Sequence, residues 1–293
     1  MINYNPKDWF SLIFRFHRSD TFRVLWPAML CIGLYAGLVA YLEMAVWEPP
    51  RKSSSVMHSL LGFVISLMLV FRTNTAYERW SEGRKLWGTL VNCSRNLVMQ
   101  TRAFVPPAQR TSHHYVATLV GNYAYALKNH LRDRPDPGEL EADGPFQPRE
   151  TDAPPHWPNY LAHCLYRELA RLHQQGHLGD AQLLVLNGEL RQFTDVCGAC
   201  ERIKRTPIPY SYSLFLKKFL FVYVMTMPFG FIYDFGYWIT LIVVFVFYVL
   251  ASLELIAEEI EQPFGRDQND LPLDELAANI RRNARELSSV DGE

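Results

Sequence analysis

Cysteine and histidine side chains are the first candidates for chemistry in this sequence. Cys197 and Cys200 have the spacing of a thiol–disulfide pair, and His113 is followed directly by His114. No strand–turn–helix pattern surrounds the two cysteines and no second pair completes a zinc site, so we predict a structural role for both thiols. Adjacent histidines point to different sides of a helix, which is poor geometry for one metal ion. A membrane-bound redox or metal enzyme using these residues is one open hypothesis.

Motifs of soluble enzymes are missing from the sequence. We find no P-loop, no G-x-G-x-x-G after a strand, no G-x-S-x-G and no H-E-x-x-H. The net charge of -1 gives no long-range attraction to nucleic acid. Five cysteines, an odd number, suit a reducing compartment better than a disulfide framework. We therefore predict a protein that is not an enzyme, requires no cofactor and binds no nucleic acid.

Four apolar segments are long enough, or nearly so, to cross a membrane. They cover residues 24–47, 56–71, 219–233 and 237–253. A helix needs about 20 residues to cross the ~30 Å hydrocarbon core, and the shorter segments suit helices packed inside a bundle. One such segment alone could be a buried helix of a soluble domain, but four together predict transmembrane helices. No cleavable signal pattern opens the chain, so we expect the first segment to be retained as an anchor.

Basic residues predict the orientation of these helices. Lysine and arginine collect beside one end of the segments, at Arg15, Arg18, Arg23, Arg72, Arg79, Arg84, Lys85, Lys204, Arg205, Lys217 and Lys218. The opposite side carries only Arg51 and Lys52. Because cytoplasmic loops are enriched in basic residues, both termini of this multi-pass membrane protein are predicted to be cytoplasmic.

The polar middle of the chain has apolar residues at helical spacing, such as Leu86, Leu90 and Leu97. We predict an all-α fold with a large helical cytosolic region at 72–212, in which 132–158 forms a variable surface loop without chemistry. An N-terminal cytosolic segment at 1–23 precedes helices 1 and 2 (24–71), and helices 3 and 4 (213–257) precede a C-terminal cytosolic segment (258–293). From Ala277 onward that segment is expected to be a solvated, fraying helix.

The second apolar segment contains a stripe that suits a pore. Val56, Leu60 and Val64 recur every four residues, and a stripe of small residues adjoins them at Ser59, Gly62 and Ser66. Small residues would let this helix pack against copies of itself, with the apolar stripe forming a hydrophobic constriction. Periodicity alone equally allows the apolar stripe to pack on the other spans.

Three stretches of the sequence resemble the bestrophin family, specifically its bacterial members. They are FRTNTAYERWSEGRKLWGTL from Phe71, CERIKRTPIPYSYSLFLKKFL from Cys200 and IEQPFGRDQND from Ile260. The resemblance implies an ion channel, a homopentameric ring around a central pore with four membrane helices in each subunit. Its partners would be copies of itself, the lipid bilayer and permeant monovalent ions.

The resemblance also implies roles for particular residues. Gapless alignment back from Arg72 and Tyr77 puts the hydrophobic neck on Val56, Leu60 and Val64. The cytosolic aperture would lie near the I-P motif, at Thr206 or Ile208, with Ile203 as a further candidate. Among the vestibule charges, a ring of Arg72 would favour anions, whereas a ring of Glu78 or Glu82 would favour cations.

A calcium site is a further implication of the resemblance. In animal members, P-F-G is followed by acidic residues that help to bind calcium, and Asp267 and Asp270 fall on matching positions. Arg266, Gln268 and Asn269 replace acids in this run, which weakens the case for calcium. The alternative is that the run only caps the last membrane helix.

Two functions stay open beside the enzyme hypothesis. The first is a channel that passively conducts small monovalent ions, anions such as chloride by resemblance, or cations such as sodium for a bacterial member. The second is a membrane-anchored scaffold or signalling protein without conductance, which would be insensitive to Leu60→Ala.

Overall fold

The computed structural model describes residues 21–46, 55–148 and 154–289. These residues form helices and connecting turns, with no strand among them beyond one isolated bridge between Asp143 and Phe146. The helices are α1 (Thr21–Tyr41), α2 (Ser55–Phe104), α3 (Arg110–Leu131), α4 (Trp157–Gln174), α5 (Asp180–Arg205), α6 (Tyr210–Phe235), α7 (Ile239–Glu261) and α8 (Leu273–Ser289). The all-α prediction is confirmed. The predicted cytosolic residues Arg15 and Arg18, and the loop with Arg51 and Lys52, lie outside the described residues.

Helix α2 is much longer than the apolar segment that predicted it. It runs from Ser55 to Phe104 without a proline and ends just before Pro106 and Pro107, where the proline ring disfavours helical geometry in the preceding residue. At 1.5 Å per residue the helix is about 75 Å long, more than twice a hydrocarbon core. The predicted boundary between residues 71 and 72 therefore falls inside one helix.

Helices α6 and α7 form the predicted hairpin. The turn between them is a short 3-10 helix, Gly236–Trp238. Gly236 has a φ of 55°, in the left-handed region that favours glycine, and its N–H donates to the Ile232 carbonyl. The structure thus contains three apolar helical stretches long enough to cross a membrane, Thr21–Val46, Val56–Phe104 and Tyr210–Glu261, and the last is divided by this turn.

The described residues divide into two compact units. The first unit takes the described residues of Met1–Arg79, together with Pro207–Gln262 and Asp267–Asn269. In it, α1 packs against α7, and small residues allow the close approach. A Cβ on Gly33 would lie 3.3 Å from Val244 Cγ2, and Ala36 and Ala40 of the same helix are fully buried.

The outside of the first unit is apolar. Within the most apolar window of each of the three stretches, only 22%, 17% and 22% of residues are buried. Large side chains such as Leu34, Leu241 and Phe245 are more than half exposed. Water would hydrate this surface unfavourably, so the unit needs lipid or other protein around it.

The second unit contains the rest of α2 with α3, α4, α5 and α8. Trp87, Tyr123 and Phe193 are fully buried in its core, and the Tyr123 hydroxyl donates to the Phe193 carbonyl at 2.6 Å. Helix α8 packs against α3 through buried Ala277 and Ile280. The prediction of a solvated C-terminal helix is therefore wrong, because one face of α8 belongs to the core.

The segment predicted as a variable surface loop is partly packed. Its described residues include a 3-10 turn, Pro137–Glu139, and the buried side chains of Leu140 and Phe146. The Asn122 side chain donates to the Glu141 carbonyl and accepts from the Glu141 N–H, both at 2.8 Å. These two hydrogen bonds fasten the loop to α3.

Candidate ion pathway

The predicted neck residues lie on one exposed face of α2. Val56, Leu60 and Val64 are 74%, 58% and 39% exposed in the single chain. None of the three is buried by another helix of the same chain, so the alternative that the stripe only packs on the chain's own spans loses support. An apolar stripe left exposed on a rigid helix can line a narrow passage once several copies surround an axis.

The small-residue stripe beside it serves a different purpose from the one predicted. A Cβ on Gly62 would lie 2.7 Å from the Tyr223 hydroxyl of α6, so glycine makes room for a side chain of the same chain. The Ser66 hydroxyl turns back to its own helix and donates to the Gly62 carbonyl at 2.8 Å. At Gly62 the stripe therefore supports packing within one subunit and not the predicted contact between copies of this helix.

His58 is held by the same pair of helices. Its Nε2 lies 3.2 Å from the Thr226 hydroxyl of α6, and its ring contacts the rings of Tyr223 and Phe231. A Cβ on Gly230 would come within 2.7 Å of the His58 Nδ1. The histidine has a hydrogen-bond partner and an aromatic environment, which fits a structural role.

Arg72 does not offer a charge to a vestibule, contrary to the prediction. Its side chain is 2% exposed and forms ion pairs with Glu261, at 2.7 Å, and with Glu254, at 3.5 Å. The guanidinium is thus compensated by two carboxylates of α7 inside the chain. A buried and paired cation cannot act as an exposed ring of positive charge.

Sequence reasoning missed these two acidic partners. Glu254 and Glu261 are seven residues apart on α7, which is two helical turns, so they share a face. Two acids on the same face of a mostly apolar helix were a signal for a buried basic partner. The network continues through Glu261, which accepts the Ile208 N–H at 2.7 Å.

The aperture candidates differ in their burial. Ile203 is 3% exposed and belongs to the core of the second unit. A side chain already buried in one chain cannot line an aperture, so Ile203 is corrected to a core residue. Thr206 follows α5 and is exposed, with its hydroxyl donating to the Arg202 carbonyl at 2.5 Å. Ile208 is half-buried.

The two acidic vestibule candidates are also in different situations. Glu78 is exposed on α2. Glu82 pairs with Arg202 at 2.7 Å, so part of its charge is compensated. Of the three predicted vestibule charges, Glu78 is therefore the exposed one.

The residues after the P-F-G motif lie in different surroundings. Asp267 is exposed whereas Asp270 is 2% exposed. Asn269 donates to Glu259 at 2.6 Å instead of offering its side chain to a shared ion. Across the described ranges, the one cluster of three potential metal ligands includes neither aspartate.

The cysteines lack the properties of a redox site. All five are unpaired thiols, and Cys197 and Cys200 are 2% and 0% exposed. Burial raises the pKa of Cys197 to about 12, and it raises that of Cys200 as well. Because the thiolate is the reactive form, these thiols are poor nucleophiles. His113 is buried whereas the His114 side chain is 65% exposed, as expected for neighbours on a helix.

Known proteins similar to this chain share its whole length. A voltage-dependent anion channel-forming protein of Nostoc sp. is 36% identical over 294 residues, which covers 97% of this chain and 93% of the relative. The voltage-dependent anion channel-forming protein YneE of Escherichia coli is 31% identical over 285 residues, covering 96% and 91%. A crystal structure of a bacterial bestrophin homologue from Klebsiella pneumoniae matches with a TM-score of 0.83 and 28% identity, covering 90% of this chain and 98% of that one. The family model for bacterial and fungal bestrophin proteins matches residues 1–286, and this chain belongs to that family of ion channels.

Proposed function

We propose that this chain is the subunit of a homopentameric channel through which small monovalent ions pass passively. The observation that carries the proposal is the apolar stripe of Val56, Leu60 and Val64, exposed on a continuous helix of a bestrophin. In a ring of subunits this stripe forms a hydrophobic neck, and Thr206 or Ile208 lines a second constriction on the cytosolic side.

The proposed topology has four membrane crossings, made by α1, the first part of α2, α6 and α7. The described basic residues Arg23, Arg79 and Lys217 lie next to apolar segments at the ends that we assign to the cytoplasm. The Gly236–Trp238 turn, which has no basic residue, faces the other side. Both termini are then cytoplasmic, and the membrane is the bacterial inner membrane.

Separate observations support an anion and a cation as the permeant ion. The names of the relatives support anions such as chloride. The compensated charge of Arg72 and the exposed carboxylate of Glu78 support cations, because a ring of carboxylates attracts them. We therefore propose monovalent ions as the substrate class and leave the choice of sign to the reversal potential.

The test is a recording from purified protein in planar bilayers under a potassium chloride gradient. We expect a current whose reversal potential lies towards the equilibrium potential of one of the two ions. Leu60→Ala widens the neck and weakens its dewetting, so we expect the conductance to rise severalfold. Leu241→Ala, an exposed leucine of α7, is the matched control and should leave the current unchanged.

Two outcomes would contradict this proposal. Absence of current from well-folded wild-type protein would favour the membrane-anchored scaffold. If Leu60→Ala and Leu241→Ala change the current equally, the assignment of the neck to α2 is wrong.

A further inference from the structure

Two histidines and a glutamate that the proposed ion pathway does not use meet in the second unit. His130 lies in the last turn of α3, His156 is the N-cap of α4, and Glu201 lies in the last two turns of α5. The Nε2 atoms of His130 and His156 lie 2.6 Å and 2.8 Å from the same oxygen of Glu201, Oε1. Residues 71 positions apart in sequence are thus brought together by packing of three helices.

The chemistry of this group points to a metal ion. We propose that His130, His156 and Glu201 bind a divalent transition-metal ion, with zinc as the best fit. Two imidazoles and one carboxylate are a ligand set that zinc accepts, with water in the fourth position. Carboxylate and imidazole ligands together also suit cobalt and nickel better than they suit calcium.

The distances require little movement for binding. The three ligand atoms already lie within 4.8 Å of one another. Ligands at about 2.1 Å from a tetrahedral zinc ion are about 3.4 Å apart, so the two nitrogen–oxygen distances need to widen by less than about 1 Å. The side chains are 25%, 24% and 21% exposed, which leaves them partly shielded but reachable.

The surroundings leave room for a cation to enter. A cavity of about 300 Å³ opens beside His130 and is also lined by Asp133, Pro155 and Trp157. A neighbouring positive charge, Lys204, pairs with Asp133 at 2.6 Å and donates to the His130 carbonyl at 3.2 Å. The carboxylate of Asp133 therefore compensates its charge.

The protonation states of His130 and Glu201 also suit an ion. Burial lowers the pKa of His130, which favours the neutral form that ligates metals. Burial of Glu201 acts to raise its pKa, but the hydrogen bonds from His156 and His130 outweigh this, and the pKa lies below its usual value. Glu201 is thus a carboxylate at neutral pH.

Binding has one defined cost at His156. Its Nδ1 accepts the Asn159 N–H at 3.1 Å, so in the neutral ring the proton sits on Nε2, which donates to Glu201. Ligation through Nε2 moves that proton to Nδ1 and replaces the hydrogen bond to the helix with a bond to the metal. No oxidant, reductant or net proton is needed in this exchange.

The experiment uses the full chain in detergent, stripped with a chelator and titrated with zinc chloride in a calorimeter. We expect saturable uptake of one zinc ion per chain, and a rise in melting temperature because the ion binds the folded state. Glu201→Gln and His130→Gln should each lower the zinc affinity about tenfold or more and abolish the rise. His163→Ala removes an exposed histidine of α4 and should change neither result.

Control measurements distinguish zinc binding at the proposed site from loss of folding and from zinc binding by a nearby thiol. The melting temperature of each variant without metal checks that the variant is folded. If Glu201→Gln and His130→Gln differ in stability, the zinc affinity of the more stable variant is the one compared with the wild type. Cys197→Ser tests the buried thiol whose Sγ lies 4.0 Å from Glu201 Oε1. Zinc uptake that survives Glu201→Gln and His130→Gln, or that is lost only with Cys197→Ser, would overturn the proposal, as would absence of stoichiometric uptake by the wild type.

Discussion

At the scale of single residues, the buried Arg72 lies between two carboxylates, those of Glu254 and Glu261. The sequence predicts that Arg72 faces permeant ions. In the structure its charge is instead neutralised by two carboxylates of the same chain. The arginine now ties α2 to α7, and its removal would leave two buried acids without their cation.

We expect Arg72→Met to destabilise the protein by about 3–5 kcal/mol, the usual cost of removing one partner from a buried ion pair. Thermal unfolding of the detergent-solubilised protein, followed by tryptophan fluorescence, measures the effect. Arg95→Met, at an exposed position on the same helix, is the control and should cost less than about 0.5 kcal/mol. Partial recovery in a variant that also carries Glu254→Gln and Glu261→Gln is expected, whereas an unchanged melting temperature in Arg72→Met would contradict the role of the pair.

Gly62 allows a second residue-scale test. Gly62→Ala brings a Cβ to 2.7 Å from the Tyr223 hydroxyl, so we expect a loss of about 1–3 kcal/mol from overpacking. Tyr223→Phe in the same chain removes the clashing oxygen and should restore most of the loss. Gly88→Ala on the same helix meets nothing within 4 Å and should stabilise by about 0.5–1 kcal/mol. Equal effects at Gly62 and Gly88 would show that helix propensity, not the contact with Tyr223, decides the outcome.

At the scale of elements, most of α3 is buried by the other helices of the second unit, and His113 is one of its buried residues. Burial lowers the pKa of His113 below 6.5, with a smaller contribution in the same direction from Arg102. The unfolded chain therefore binds a proton on this residue at a higher pH than the folded chain does. The contribution of His113 to the free energy of unfolding is therefore full above about pH 6.5, and it decreases as the pH falls below that value.

We expect the melting temperature to fall between pH 7 and pH 5.5 and the slope to be smaller in His113→Gln. A glutamine keeps an amide donor for the Pro106 carbonyl, which the His113 Nε2 approaches at 3.3 Å. His114→Gln, at the exposed neighbouring position, is the matched control. If both variants flatten the slope equally, burial of His113 is not the cause of the pH dependence.

The sequence predicted which elements exist better than where they end. Apolar segments in the sequence located the helices that carry the three apolar stretches, because apolar length is a local property. The extension of α2 through polar residues to Phe104 depends on packing in the second unit, which no local window contains. For the same reason α8 was predicted as solvated: its buried face is narrow, and only the fold shows that α3 covers it.

At the scale of the whole molecule, the described apolar exterior of the first unit is too large for an isolated chain in water. Lipid covers part of it, and in our proposal other subunits cover the rest around the central axis. The assignment of the neck to Val56, Leu60 and Val64 came from the sequence, because resemblance and periodicity agreed on the second apolar segment, and it stays a prediction. The group of His130, His156 and Glu201 was not predicted, because its members are far apart in sequence and His156 lies in the segment 132–158, where no chemistry was expected.

The proposed ring predicts a defined mass. Native mass spectrometry of the detergent-purified protein should give an assembly of five chains of 34.0 kDa each. The Leu241→Ala variant used in bilayers should give the same mass, since that leucine is proposed to face lipid. A monomer or dimer that still conducts would contradict a single axial pore lined by five copies of α2.

The pairing of Arg72 with α7 also has a consequence for biosynthesis. Glu254 follows Arg72 by about 180 residues, so at a synthesis rate of about 5–20 residues per second the arginine precedes its partner by roughly 10–40 s. During that interval the first two apolar segments are already available to the membrane, while the cation has no carboxylate to neutralise it. In the proposed topology, we therefore expect the nascent chain to hold Arg72 at the hydrated headgroup boundary of the membrane until α7 has been synthesised.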